Sequence, residues 1–488
     1  MIGDRKPKRC NVTEGSHRRF EPVSLGAMTL IPGAALVAVL LLLPGIATAA
    51  DPPTMPDVQT TAAPPPADEA AAPENWAVHA QSTFLFQYHP GFGSSVPTGP
   101  QSLDSGRRGA ETFDATIYAG LRLWRGAEFW INPEADQGFG LQNTLGVAGF
   151  TSGEAYKVGE RDPYYRMTRA FIRQTIGLGG GTEKVESDQN VLGGTQDSNR
   201  VVITFGKFSV ADLFDTNKYA HDPRADFMNW SLIDSGAFDY AADSWGYTYG
   251  AAAEWYQDWW TLRAALFDLS ATPNSEHLDL RPGQQFEGVV EAEERHTIFG
   301  QPGKLKLLLY MNRGLMARLN TFTQAVAATG VAPTLASLRH LNNRPGAALN
   351  LEQSLTADLG MFARLSAADG RYETFDFTDI DQSAAVGLSM MGTRWGRDDD
   401  VLGAAFVINA ASRDRLNFFR AGGLGVLVGD GVGQPANAGP EQIFETYYNV
   451  AATKWLNVTF DYQLVNHPAY NVDRGPVHVF GFRIHAQI

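Results

Sequence analysis

The chain has 488 residues, a formal net charge of −14 and a single cysteine. This acidic balance argues against nucleic-acid binding, where Lys and Arg on phosphates supply most of the affinity. The one thiol, Cys10, lies in a segment expected to be removed, which excludes a disulfide framework, a cysteine metal site and a thiol nucleophile from the mature chain.

A basic stretch (Arg5, Lys6, Lys8, Arg9, Arg18, Arg19) precedes an apolar run over 34–43 and the small residues Ile46-Ala47-Thr48-Ala49-Ala50. This layout predicts a secretory signal over 1–50, cleaved after Ala49 or Ala50, with Met28 as an alternative start. The run is about half of the roughly 20 residues that a membrane-spanning helix needs. Removal of residues 1–50 takes away six Lys/Arg and three Asp/Glu and moves the charge to −17. Residues 51–75 hold seven prolines and no aromatic residue, and predict an extended, solvated linker. The remainder, 76–488, is long for one soluble core and contains no second linker, which favours a single large closed barrel.

Within it the recurring pattern is alternation with period two. Phe113, Ala115, Ile117, Ala119, Leu121 and Leu123 share one face, opposite Asp114, Thr116, Tyr118 and Arg122. Trp245, Tyr247, Tyr249, Ala251, Ala253 and Trp255 do the same, as do Leu456, Val458, Phe460, Tyr462 and Leu464. The C-terminal stretch sets Phe480, Phe482, Ile484, Ala486 and Ile488 against Arg483, His485 and Gln487. Ten-residue segments with an apolar lipid face and a polar lumen face predict a transmembrane antiparallel β-barrel, with Trp245, Trp255, Trp260, Trp455 and Tyr448 as interfacial aromatics. A soluble sandwich also alternates, but the export signal and unbroken length disfavour it.

We expect about sixteen strands, beginning near 76, 111, 126, 166, 200, 245, 259, 285, 304, 348, 357, 384, 400, 441, 454 and 477. Short connections at 124–126, 257–258, 300–303 and 451–453 alternate with long ones at 89–110, 136–165, 209–244, 314–347 and 410–440, as in an up-and-down outer-membrane barrel. The long 177–199 connection falls on the short-turn side and breaks the alternation. A barrel of this size leaves an aqueous lumen. The third long loop, 209–244, is dense in charged and aromatic residues and is expected to fold inward as a constriction.

Four blocks resemble the carbohydrate-selective porins of the OprB family: 134–154 (EADQGFGLQNTLGVAGFTSGE), 171–180 (FIRQTIGLGG), 206–249 (GKFSVADLFDTNKYAHDPRADFMNWSLIDSGAFDYAADSWGYTY) and 291–313 (EAEERHTIFGQPGKLKLLLYMNR). The 206–249 block is the most specific of them. The resemblance implies a sixteen-stranded outer-membrane channel of a Gram-negative bacterium that admits glucose and other small sugars by diffusion.

A sugar presents hydroxyls at its rim and C–H groups on its faces, so selectivity calls for bidentate polar side chains beside aromatic ones. The expected substrate contacts are Arg169, Arg173, Asp215, Asn217, Asp222, Arg224, Trp230 and Arg263, and of these Arg169, Arg173, Asp222, Arg224 and Trp230 come first. Arg122, Glu128, Glu254, Glu291, Glu293 and Arg295 also fall on lumen faces, the last three as charges that hold a loop in place. The plainer readings are that Asp222-Pro223-Arg224 is a turn with a local ion pair and that Trp230 is loop packing. No dinucleotide fingerprint, zinc-ligand spacing, calcium loop or nucleophile elbow is present, so no cofactor, metal or catalytic residue is expected. The expected partners are small sugars and outer-membrane lipid, with a homo-oligomer left open. Alternatives are a less selective porin for small polar solutes or organic acids, an outer-membrane enzyme, and an exported sugar-binding module.

Overall fold

The computed structural model describes residues 73–154, 159–281 and 283–488. The expected signal segment and residues 51–72 of the expected linker lie outside the described residues. Sixteen antiparallel strands close into a barrel: β1 (Trp76–His89), β2 (Arg108–Trp124), β3 (Ala127–Gly138), β4 (Glu160–Gly177), β7 (Arg200–Phe208), β8 (Thr248–Gln257), β9 (Trp260–Asp268), β10 (Phe286–Ile298), β11 (Gln301–Ala317), β12 (Arg339–Ser354), β13 (Leu359–Ala368), β14 (Gln382–Gly392), β15 (Arg397–Ala410), β16 (Glu441–Thr453), β17 (Leu456–Asn466) and β18 (Val477–Gln487). The remaining two, β5 (Thr182–Val185) and β6 (Gly194–Asp197), form a separate hairpin within the 177–199 connection. Closure comes from β1 on β18, from Gln81 opposite Gln487 to Tyr88 opposite Phe480, so the sheet has no free edge to satisfy in hydrocarbon.

The alternation resolves as expected on most strands. In β2, Phe113, Ile117 and Leu121 point outward and are 40–50% exposed, while Asp114, Thr116 and Tyr118 are buried inside. Trp76, Trp124, Trp255, Trp259 and Trp455 stand exposed at strand ends or in turns on the short-turn rim, an aromatic girdle. Trp245 and Tyr247 depart from the expected lipid face. They precede β8, which begins at Thr248, and Gly246 between them has φ +101°, a turn that rolls both rings into the lumen. Strand β12 begins at Arg339 instead of near 348, and β4 at Glu160 instead of near 166. These polar extensions run beyond the apolar band, where a strand needs no alternation to stay paired.

Several interior rings lie across a glycine on the neighbouring strand. Trp130 is paired with Gly120, Phe267 with Gly250, Tyr310 with Gly346, Phe362 with Gly387 and Tyr447 with Gly403. A Cβ at any of these glycines would meet the ring at under 3.0 Å. The missing side chain lets a large ring lie flat on the wall, which covers the glycine and keeps the lumen clear.

Residues 209–247, between β7 and β8, fold into the barrel, and every residue from 227 to 244 is buried. Wall side chains satisfy the loop's peptide groups. Arg364 on β13 donates to the carbonyls of Leu232 (2.6 Å), Asp215 (3.1 Å) and Ala220 (2.8 Å). Arg483 on β18 grips those of Pro223, Ala225 and Asp226 at 2.5–3.0 Å. Glu445 on β16 accepts from the amides of Met228 and Asn229, Glu287 on β10 from that of Ala241, and Arg344 on β12 pairs with Asp239 at 2.7 Å. We predict that Gly403→Val, which drives a branched side chain into Tyr447, destabilises the barrel by about 1–3 kcal/mol. A lower temperature for loss of the compact, heat-modifiable gel species would register it.

Candidate functional site

Because the inserted loop is gripped from β10 round to β18, the open part of the lumen lies against the opposite wall. There a cavity of about 440 Å³ is lined by β1 to β4 and β7 on one side and the loop on the other. The wall contributes Gln81, Tyr118, Asp136, Arg166, Arg169, Arg173, Thr204 and Phe208; the loop contributes Asp212, His221, Asp222, Arg224, Trp230, Asp234 and Tyr240. Trp245 and Tyr247 complete the lining just before β8.

Three arginines on β4 form a ladder down this wall. Arg169 holds Asp212 with a bidentate pair of 2.8 and 2.6 Å and lies 5.0 Å from the Tyr247 ring. Arg166 pairs with Glu134 (2.9 Å) and Asp136 (2.8 Å). Arg173 donates to the carbonyl of Asn190 at 2.7 Å. Strict alternation would send Arg166 to the lipid side, opposite to Arg169. A bulge prevents this: Asn132 pairs with Arg169 and the next residue, Pro133, with Met167, so Thr168 is the extra residue and the face is reset. Pro133 has no N–H for the ladder, and the Thr168 hydroxyl bonds to the carbonyl of Asn132 instead. The proline was the one signal in the sequence that could have placed Arg166.

On the loop side, Asp222-Pro223-Arg224 is indeed a turn, since the Arg224 amide bonds to the Asp222 carboxylate at 2.8 Å and the Asp226 amide to the Asp222 carbonyl at 2.7 Å. The turn also aims the Arg224 guanidinium across the cavity, 3.0 Å from Glu154 and 3.5 Å from Asp114. Trp230 is 2% exposed, with Phe150 stacked on it at 5.0 Å and Tyr240 and Phe377 tilted against it. Its faces are therefore covered, it meets the cavity only by an edge, and its Nε1 is buried without a hydrogen-bond partner. The Thr204 hydroxyl is likewise unpartnered at the cavity wall.

Three expected contacts sit elsewhere. Asp215, with φ +57°, turns its carboxylate back onto the Ser235 amide and hydroxyl and onto Asn350. Asn217 bonds to Asn350 and the Leu351 carbonyl. Arg263 is buried among Glu254, Glu291 and Glu293, at 2.8–3.1 Å. All three are outside the cavity lining and tie the loop or brace the wall beneath it. Glu291 also accepts from the Asp215 amide, and Arg295 donates to backbone carbonyls of the 257–260 turn, in keeping with the expected holding roles.

The electrostatics are balanced. Burial raises the carboxyl of Asp212, but the charge and hydrogen bonds of Arg169 together with the Ser209 amide hold the group below its usual range; the Arg224 guanidinium and amide, with His485 and His221, do the same for Asp222. Burial, reinforced by Asp215, pushes Asp234 up to about 8, which leaves it protonated at neutral pH. The cavity thus presents many donors and acceptors with the arginine charge largely countered in place.

A closed barrel with a lipid-facing apolar belt, an aromatic girdle and a lumen narrowed by an inserted loop is an outer-membrane porin. The description "Carbohydrate-selective porin, OprB family" matches residues 101–488, and the chain belongs to that family. It resides in the outer membrane of a Gram-negative bacterium and passes sugars preferentially. Among solved structures, the high-pH form of OprB from Pseudomonas putida is similar with a TM-score of 0.62, 16% identity, and coverage of 85% of this chain and 94% of that one. The low-pH form gives 0.46, 12%, 85% and 93%, and the outer-membrane channel DcaP of Acinetobacter baumannii 0.44, 10%, 85% and 97%. No curated protein is similar at a significant level.

We predict that Arg166→Ala, which strips Glu134 and Asp136 of their nearest cation, makes the channel more cation-selective. Reversal potentials under a potassium chloride gradient should move toward the potassium value, and no movement would show that this pair lies off the ion path.

Proposed function

We propose that the cavity between β4 and the inserted loop is where a small sugar is recognised during passive diffusion, with Arg169, Arg173, Asp222, Arg224 and Trp230 among its contacts. The observation that carries the reading is the pairing of the lining arginines with carboxylates and carbonyls. A passage rich in forked donors and acceptors but without a strong field of one sign suits a neutral polyol more than an ion. Sugar hydroxyls exchange water for guanidinium and carboxylate, while Tyr118, Tyr240 and Tyr247 present ring surface to C–H groups. Because each arginine is already partly engaged, added sugar bonds are weak enough to release, as conduction requires. No covalent step is involved.

Proteoliposome swelling tests this. Trp230→Phe keeps one aromatic ring against Phe150 and removes the fused ring that carries the N–H. It should lower the swelling rate in glucose relative to that in an uncharged amino acid, because it alters the edge that Trp230 presents to the cavity. Arg224→Ala should lower the same ratio. An unchanged ratio in both variants removes these residues from the sugar path, and a faster rate for a dicarboxylate than for glucose in the parent protein would favour an organic-acid channel instead.

A further inference from the structure

The connection between β4 and β7 leaves the barrel at the short-turn rim, where the turns at 125–126, 258–259 and 299–300 are only a few residues long. Here the chain instead builds the β5–β6 hairpin and sends its tip back into the mouth of the lumen. The tip is a tight turn in which Asp188 and Val191 exchange backbone hydrogen bonds of 3.1 and 3.0 Å, with Asn190 at φ +57°. It is fastened on two sides. Toward β4, the Asn190 carbonyl accepts from Arg173 at 2.7 Å. Toward the closing strands, Gln189 donates to Gln81 on β1 at 2.9 Å, and Gln487 on β18 donates to Asp188 at 3.3 Å. Leu192 is buried in the apolar cluster of the barrel interior. Glu74 clamps the base, accepting from the Ser187 hydroxyl at 2.7 Å and the Gly193 amide at 2.8 Å.

The tip therefore spans the mouth beneath the cavity, and Gln189, Asn190 and Val191 line the same cavity as the β4 arginines. The Asn190 side-chain Oδ1 is buried and has no hydrogen-bond partner. Asparagine tolerates the left-handed backbone of this turn, so a residue that lines the cavity can also turn its carbonyl to Arg173. An acceptor left unpaired at the wall of a polar cavity is costly unless a hydroxyl, of water or of solute, meets it.

We propose that the 178–199 connection is a second selectivity element at the periplasmic mouth: it positions Arg173 through the Asn190 carbonyl and offers the Asn190 side chain as the last polar contact of a departing sugar. The inference rests on the sugar path described above. It makes the constriction two-sided, with an external loop and a periplasmic hairpin meeting across one cavity.

Single-channel recording in planar bilayers, with glucose titrated against the potassium chloride conductance, tests it on the mature protein. Asn190→Gly retains the positive φ and the carbonyl that holds Arg173 but removes the amide. It should weaken glucose block by about fivefold while leaving the sugar-free conductance near the parent value. Replacing 180–197 by two glycines should weaken block at least as much and raise the sugar-free conductance, with heat-modifiable gel mobility confirming a closed barrel. If Asn190→Gly blocks like the parent while Trp230→Phe is weakened, the hairpin is structural and this inference falls while the sugar path stands. If neither variant changes, both fall.

Discussion

A loop drawn into a barrel takes its peptide groups out of bulk water, and each buried N–H or C=O left without a partner carries a penalty. The rest of this structure follows from how that demand is met. The backbone of residues 209–247 is satisfied by side chains on the wall: Arg364 and Arg483 for carbonyls, Glu287 and Glu445 for amides. These groups are numerous on β10 to β18, so the loop lies against that wall. The space that remains lies against β1 to β4 and β7, and the sugar path takes its position from where the wall does not grip the loop's backbone.

The same arithmetic separates two kinds of lumen charge that look alike in sequence. Arg263 and Arg169 both sit on lumen faces, yet Arg263 is enclosed by Glu254, Glu291 and Glu293 beneath the loop, whereas Arg169 borders the cavity. Asp215 and Asn217 belong to the loop's attachment, and Asp222 and Arg224, a few residues on, to its exposed edge. Alternation can say which side of the wall a residue faces. Which lumen residues the inserted loop covers depends on its path through three dimensions, and no local pattern carries that.

Much of the architecture was nonetheless legible. A period of two over ten residues is enforced by hydrocarbon on one side and water on the other, so the sixteen strands and the inward loop could be read from Phe113 to Leu123 and their counterparts. The errors cluster where that enforcement lapses. Trp245 and Tyr247 continue the alternating pattern of β8 but lie before its first paired residue. Arg166, on which the sequence reading made no assignment, lies beyond the bulge at Thr168, which reverses the parity of the positions on its far side. The polar start of β12 carries no alternation because it rises clear of the membrane. The 177–199 segment gave no pattern at all, since its hairpin is too short for periodicity and its anchors, Gln81, Glu74 and Gln487, are remote in the chain.

The grip of Arg483 on the Asp222 turn links the loop to the seam of the barrel. Arg483 belongs to the final strand, and its three carbonyl partners fix the turn that aims Arg224 into the passage. That strand lies between β17 and β1, so the turn's anchor stands on the strand that closes the sheet. The strand that seals the cylinder thus also carries part of the anchor of its filter.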